Sequence, residues 1–187
     1  MAFSPSSHSQ YLLNQVALSN SIRRLWVDNN QWTRALIFSI LYNQGDRDEL
    51  ISRLRQNADD FATIFAQFYS QQTADQIRRF INNGLDGTIR MIEAYKANDA
   101  QAIRSAREYL YANANDIAAY LSRINRYWDM PTLQVMLYEI INLIEYETML
   151  IRDGAFEESI KQHDELMNQA YKLSDELTYG ILKQFQV

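Results

Sequence analysis

Five glycines and two prolines in 187 residues leave this chain almost nothing with which to turn. A sandwich, a barrel or a doubly wound sheet needs a turn about every ten residues, usually built from glycine, proline or a short polar cluster. Long helices need few turns. Hydrophobic residues make up 47% and charged residues 22%, so the chain can bury a sizeable core and is not disordered. The expected fold is therefore all-α, an antiparallel up-down helical bundle of about five to six long helices with short turns, related to the four-helix bundle. Residues 1–187 are read as a single domain, with residues 1–8 as a flexible leader.

The punctuation cuts the chain into segments. Pro5 and the serines around it precede a helix from about Ser9 to Asn43, and His8 falls in the leader, where it is expected to be exposed. Gly45 is placed to stop that helix by taking a left-handed cap. Asp46 with Glu49, and Thr73 with Gln76, have the spacing of capping boxes and open the next two segments. A break is expected near Asn57, where Gln-Asn-Ala-Asp-Asp offers a fresh cap before Phe61 and Phe65. The following helix runs to about Ala97, and Asn98-Asp99 turns the chain into one that lasts to about Asn125. Asp129 and Pro131 mark another start, because proline's missing donor is not needed in a first turn. Gly154 ends that helix, and the last runs from about Phe156 to Gln184.

Apolar stripes of helical period support these segments. The first carries Ile22, Leu25, Asn29, Trp32, Leu36 and Ile40. Ile77, Ile81, Gly84, Thr88 and Met91 line the third segment, and Ala106, Leu110, Asn113, Ile117, Leu121 and Ile124 the fourth. Leu133, Leu137, Ile140, Ile144 and Glu147 follow, then Ile160, His163, Met167, Ala170, Leu177 and Ile181. The interruptions are informative. Asn29, Asn113, Glu147 and His163 put polar groups on inward faces, and Gly84 deletes a side chain from one. Together with Ile140 they form the candidate ligand pocket, since a missing side chain on a packed stripe leaves a void or permits a close helix approach. Glu147 is expected to meet a basic side chain at a wet end of the bundle, and His163 to be a hydrogen-bonded core residue.

Several chemistries lack their parts. No Glu-x-x-His pair of the kind that builds dimetal bundles is present, and two histidines cannot make a multi-histidine site. The chain has no cysteine, no serine in a Gly-x-Ser-x-Gly elbow and no clustered glycines to cradle phosphate. No enzyme activity, no metal and no cofactor are therefore expected. The net charge of −5 argues against nucleic acid as a partner, and the pairs Arg23-Arg24 and Arg78-Arg79 read as solvated helix faces. No apolar run is long enough to cross a membrane, and the first residues lack the basic start and apolar core of a signal peptide. A cytoplasmic protein is expected, which the absence of cysteine suits.

Leu25–Arg34 (Leu-Trp-Val-Asp-Asn-Asn-Gln-Trp-Thr-Arg), Arg53–Asp60 (Arg-Leu-Arg-Gln-Asn-Ala-Asp-Asp) and Tyr111–Asn115 (Tyr-Ala-Asn-Ala-Asn) carry a resemblance. It continues through Ser122–Asn125, Met136–Glu139 and Gly180–Phe185, in order along nearly the whole chain. On these segments the chain resembles a family of small, uncharacterised all-helical proteins of soil Firmicutes. Some members carry the label acetylglutamate kinase, which nothing in these residues supports. The resemblance implies a histidine at the position of Asn29, Glu-His at Asn83-Gly84, a histidine at Ile140 and a glutamate at Met167, with Asn113 and Glu147 kept. Such a set would be a metal site in the bundle core, and this chain would hold its degenerate remnant.

Three readings follow. The first is a non-catalytic bundle acting through its surface, by a protein partner or as a homo-oligomer. The second is a ferritin-like metal-binding protein or oxidoreductase using Glu139, Glu145, Glu147 and His163. The third is a small-molecule carrier with a pocket between helices, floored by Asn29, Asn113 and His163.

Overall fold

The computed structural model describes residues 7–186 and forms six helices. They are α1 (Ser7–Leu41), α2 (Arg47–Ala66), α3 (Gln71–Ala97), α4 (Ala100–Ile124), α5 (Met130–Arg152) and α6 (Phe156–Phe185). No strand occurs among the described residues. The first six residues of the expected leader, and the side chain of His8, lie outside what is described; α1 begins at Ser7, inside that leader. Short turns make consecutive helices antiparallel neighbours, and each packs on the next. The sixth closes back on the first, so the helices form a ring, with α1, α3 and α5 touching across its middle. The result is an all-α helical bundle of six members rather than four.

The ends of the helices show which residues turn the chain. Asn43, with φ of 54°, takes the left-handed position after α1, and Gln44 N–H bonds back to Ser39 O at 2.9 Å. Gly45 was the expected left-handed cap, but asparagine tolerates that backbone as well and stands closer to the helix end. Asn98 repeats the arrangement after α3, also with φ of 54°. Asp46 does precede α2, but its side chain makes no capping bond, so the expected box with Glu49 does not form. Ser70, not Thr73, caps α3, accepting from Thr73 N–H at 3.2 Å. Asp129 caps α5 through Thr132 N–H at 3.0 Å, with Pro131 in the first turn.

Asn57 is where sequence and structure part most clearly. The helix does not break there: α2 runs unbroken and Asn57 is fully buried. Its amide nitrogen donates to Leu25 O of α1 at 3.0 Å, and its oxygen accepts from Asn29 Nδ2 at 2.9 Å. An asparagine with a tertiary partner has no need to cap, so the polarity that reads as a stop signal is a cross-link between helices.

Two stripe residues also face outward. Trp32 is exposed and lies beneath the Arg53 guanidinium, and Ile160 is exposed on α6. On α1 the buried face runs through Thr33, Leu36, Ile37 and Ile40. A step of four residues from Asn29 stays nearer that face than a step of three, and Trp32 sits on the wrong side of it.

The glycines divide by what surrounds them. A Cβ on Gly180 would lie 1.9 Å from Nε1 of Trp128, a buried residue of the α4–α5 turn whose indole N–H donates to Glu176 O at 3.2 Å. A Cβ on Gly87 would lie 2.6 Å from Leu110 Cδ2. At Gly84 the nearest atom is Asn113 Nδ2, at an ordinary 3.7 Å. Close helix approach therefore belongs to Gly87 and Gly180, and Gly84 has room beside it. Gly180→Ala and Gly87→Ala are expected to lower stability by about 1–3 kcal/mol, the range for overpacking. Gly84→Ala should raise it by roughly 1 kcal/mol through helix propensity, and urea melts of the three variants separate the two classes.

Candidate functional site

A cavity of about 100 Å³ lies among α1, α3, α4 and α5, with Leu54 of α2 at its wall. Of the six residues expected to form a pocket, Asn29, Gly84, Asn113 and Ile140 line it together. They converge because α1, α3 and α5 meet in the middle of the ring while α4 packs against both α3 and α5. Gly84 gives the space its width by leaving out a side chain where α3 faces Asn113.

Most of the lining is aliphatic or aromatic, as in Phe80, Leu110, Leu137 and Ile144. Its polar members are few and unevenly satisfied. Asn113 Nδ2 donates to Phe80 O at 3.1 Å, which spans α4 and α3, while Asn29 Nδ2 is engaged by Asn57. Thr33 and Thr88 also line the cavity, and neither hydroxyl makes a hydrogen bond among the described residues. Trp26 lines it too, packing edge-on to Phe61, and its buried indole N–H meets no acceptor. The sequence stripe passed over Trp26, although a 3.6-residue period makes positions 22, 25, 26 and 29 neighbours on one face.

Glu147 and His163 stand elsewhere. Glu147 is fully buried between α5, α1 and α6, and its Oε1 accepts from Arg34 Nη1. Arg34 also donates to Ser159 Oγ at 3.1 Å and to Ser159 O at 3.2 Å. His163 Nδ1 lies 3.0 Å from the same Glu147 oxygen, a charge-pairing distance without the direction of a hydrogen bond. Glu147 thus has the basic partner expected of it, but in a dry interior rather than at a wet end. His163 is not a floor of the cavity.

Glu145 forms a second, separate network. Tyr95 Oη donates to Glu145 Oε1 at 2.5 Å, and Arg107 Nε donates to Oε2 at 3.0 Å. Burial, with the Glu145 carboxylate next in effect, pushes the Tyr95 hydroxyl up to about 12. Glu145 and Glu147 are two positions apart, roughly 200° around a helix, so one faces Arg107 of α4 and the other Arg34 of α1. Carboxylates turned apart in this way cannot share an ion, and no group of three potential metal ligands occurs among the described residues. One arginine of each basic pair is ion-paired within the chain, Arg23 with Asp175 at 2.8 Å and Arg78 with Asp75 at 2.8 Å.

Two measurements follow from these networks. Arg34→Met should cost roughly 3–5 kcal/mol, because it removes the arginine from a fully buried carboxyl group and leaves it only His163 nearby, whereas Arg34→Met with Glu147→Met should recover most of that loss. Urea denaturation of the single and double variants checks this. Absorbance titration should find two tyrosines, Tyr69 and Tyr95, ionising near pH 12, both pushed up chiefly by burial. A raised folded-state value means that Tyr95 stabilises the fold below its unfolded value near 10 and loses that contribution as pH climbs through about 12. Tyr95→Phe should flatten the alkaline limb. Compared with known proteins, the chain matches no family model, no curated protein and no solved structure.

Proposed function

We propose that this chain is a non-catalytic, cytoplasmic helical-bundle protein that carries a small molecule in the cavity between α1, α3, α4 and α5. The supporting observation is Gly84. A glycine inside a long helix costs about 1 kcal/mol relative to alanine, and this one is not required by any close approach. Its effect is to keep a space open beside Asn29, Asn113 and Ile140. A core selected for stability alone would fill that space with a methyl group.

The resemblance to the Firmicutes family gives this cavity an origin, as the remnant of a metal site whose imidazoles have been replaced by Asn29, Gly84 and Ile140. On that reading the bundle keeps the geometry of a site and has exchanged its chemistry for volume. The metal-binding alternative has less support, because the interior carboxylates Glu147 and Glu145 each have an arginine.

Action through the surface is favoured by a different observation. Leu12, Leu13 and Val16 are all exposed on the first turns of the long helix α1. One face of that helix therefore offers apolar area to a protein partner or a second copy. No helix of the described residues is long and apolar enough to cross a membrane. Neither a membrane nor a nucleic acid is proposed as a partner.

Thermal-shift and ligand-observed NMR screens with small neutral compounds test the carrier reading. The protein should bind a subset of them, Gly84→Ala should weaken binding several-fold, and Gly84→Leu should abolish it while the helical circular dichroism is kept. Failure of every compound to bind, or equal binding by Gly84→Leu, would rule the reading out.

A further inference from the structure

Resting on the surface reading of Leu12, Leu13 and Val16 and not on the cavity, we infer that α1 pairs with a second copy of this chain. The two helices lie antiparallel, with Leu13 and Val16 at the centre of the contact. Helix formation at this end is not accounted for from within the chain. Leu12, Leu13 and Val16 are 47%, 55% and 57% exposed, and going along α1 from Leu12 the first buried residue is Leu18. No acidic residue stands in the first turn to complement the helix dipole. Ser9, Asn14, Ser19, Asn20 and Ser21 carry side chains that compete with a helix for its own backbone. Helices in proteins are held mostly by the packing of one apolar face, and this face has nothing packed on it.

Charge identifies the occupant. From Ser7 to Ile22 the helix has no Asp, Glu, Lys or Arg, although charged residues make up 22% of the chain. A partner selected by charge has nothing here to read. Two copies with a net charge of −5 repel over most of their surface, and this stretch is where they meet without opposing like charges. One element also supplies both sides of an isologous contact, so no second patch is required.

Arg23 and Arg24 decide the orientation. Parallel pairing sets them beside the same arginines of the other copy. Antiparallel pairing centred between Leu13 and Val16 holds the two Arg24 positions about 28 Å apart at 1.5 Å per residue. That is far beyond a Debye length of about 8 Å. Area decides the strength. Three half-exposed side chains fall short of the roughly 800 Å² per partner of a standard interface. Asn14, Ala17 and Leu18 also wall a surface groove of about 340 Å³ with Ile64 and Phe68, so the partner helix covers apolar area beyond these three. The pairing is accordingly weak, with a dissociation constant on the order of 10–100 µM.

Sedimentation of the whole 187-residue chain across roughly 5–500 µM should show a monomer–dimer equilibrium. Leu13→Asp with Val16→Asp, both at exposed positions, should weaken it about tenfold or more and leave the bundle folded. Amide exchange at residues 12–17 should slow as concentration rises through the same range. Gln31 is exposed on the same face as Leu13, and the chain has no cysteine, so Gln31→Cys carries a single spin label. The dimer should then give a separation of about 50 Å, against roughly 10–20 Å for a parallel pair. The parallel distance, a monomer at every concentration, or self-association untouched by the double variant would overturn the inference. Protection gained on phosphatidylcholine vesicles and not with concentration would assign the face to lipid and likewise overturn it. A monomer whose 12–17 amides exchange freely would leave the surface reading standing, and a monomer whose amides are firmly protected would overturn that reading as well.

Discussion

Most of the strongly polar groups brought into the middle of this bundle are met by another helix, because water does not reach them and an unmet partner costs about 1–3 kcal/mol. That constraint organises the interior more than apolar packing does. Asn57 is held by α1, Asn113 by α3, Glu147 by Arg34 and Glu145 by Tyr95 with Arg107. Each bond crosses between helices, so the same contacts that satisfy the groups also fix how the helices sit against one another. Apolar stripes allow many arrangements of six helices, and these directional bonds select among them.

The constraint is relaxed at several places, most fully at Asn30 of α1, whose two amide atoms both lack a partner, and also at the edge of the cavity. Around it the protein satisfies the amide nitrogens of Asn29 and Asn113 but leaves the indole N–H of Trp26 without an acceptor. Gly84 and Trp26 both line the same cavity.

Much of the fold was legible because helix length and the scarcity of turn formers are properties of the chain itself. Six segments, their approximate ends and the inward placement of Asn29, Gly84, Asn113 and Ile140 all follow from spacing. What escaped was identity of role. Asn57 has the composition of a cap, and only its distance from α1 makes it a cross-link. Trp32 is more apolar than Thr33, yet the angular step along the helix puts threonine inside and tryptophan out. Glu147 shares its inward stripe with the cavity residue Ile140, and His163 lies on the stripe of α6, but both stand apart from the cavity, since a stripe gives direction around one helix and says nothing of which helix stands opposite. Nor could spacing separate Gly84 from Gly87 and Gly180, which differ only in what another helix or turn places against them.

The indole of Trp128 seated over Gly180 has a mechanical consequence. Sliding α6 by one helical turn would bring Glu176 or Gln184 beneath that ring, and either would drive a Cβ into it. The notch therefore works as a key, holding the closing helix to one axial register at this end of the ring. Any rearrangement that admits or releases a molecule must then be a tilt or a parting of helices, with this end as its pivot, and not a piston stroke along the bundle axis.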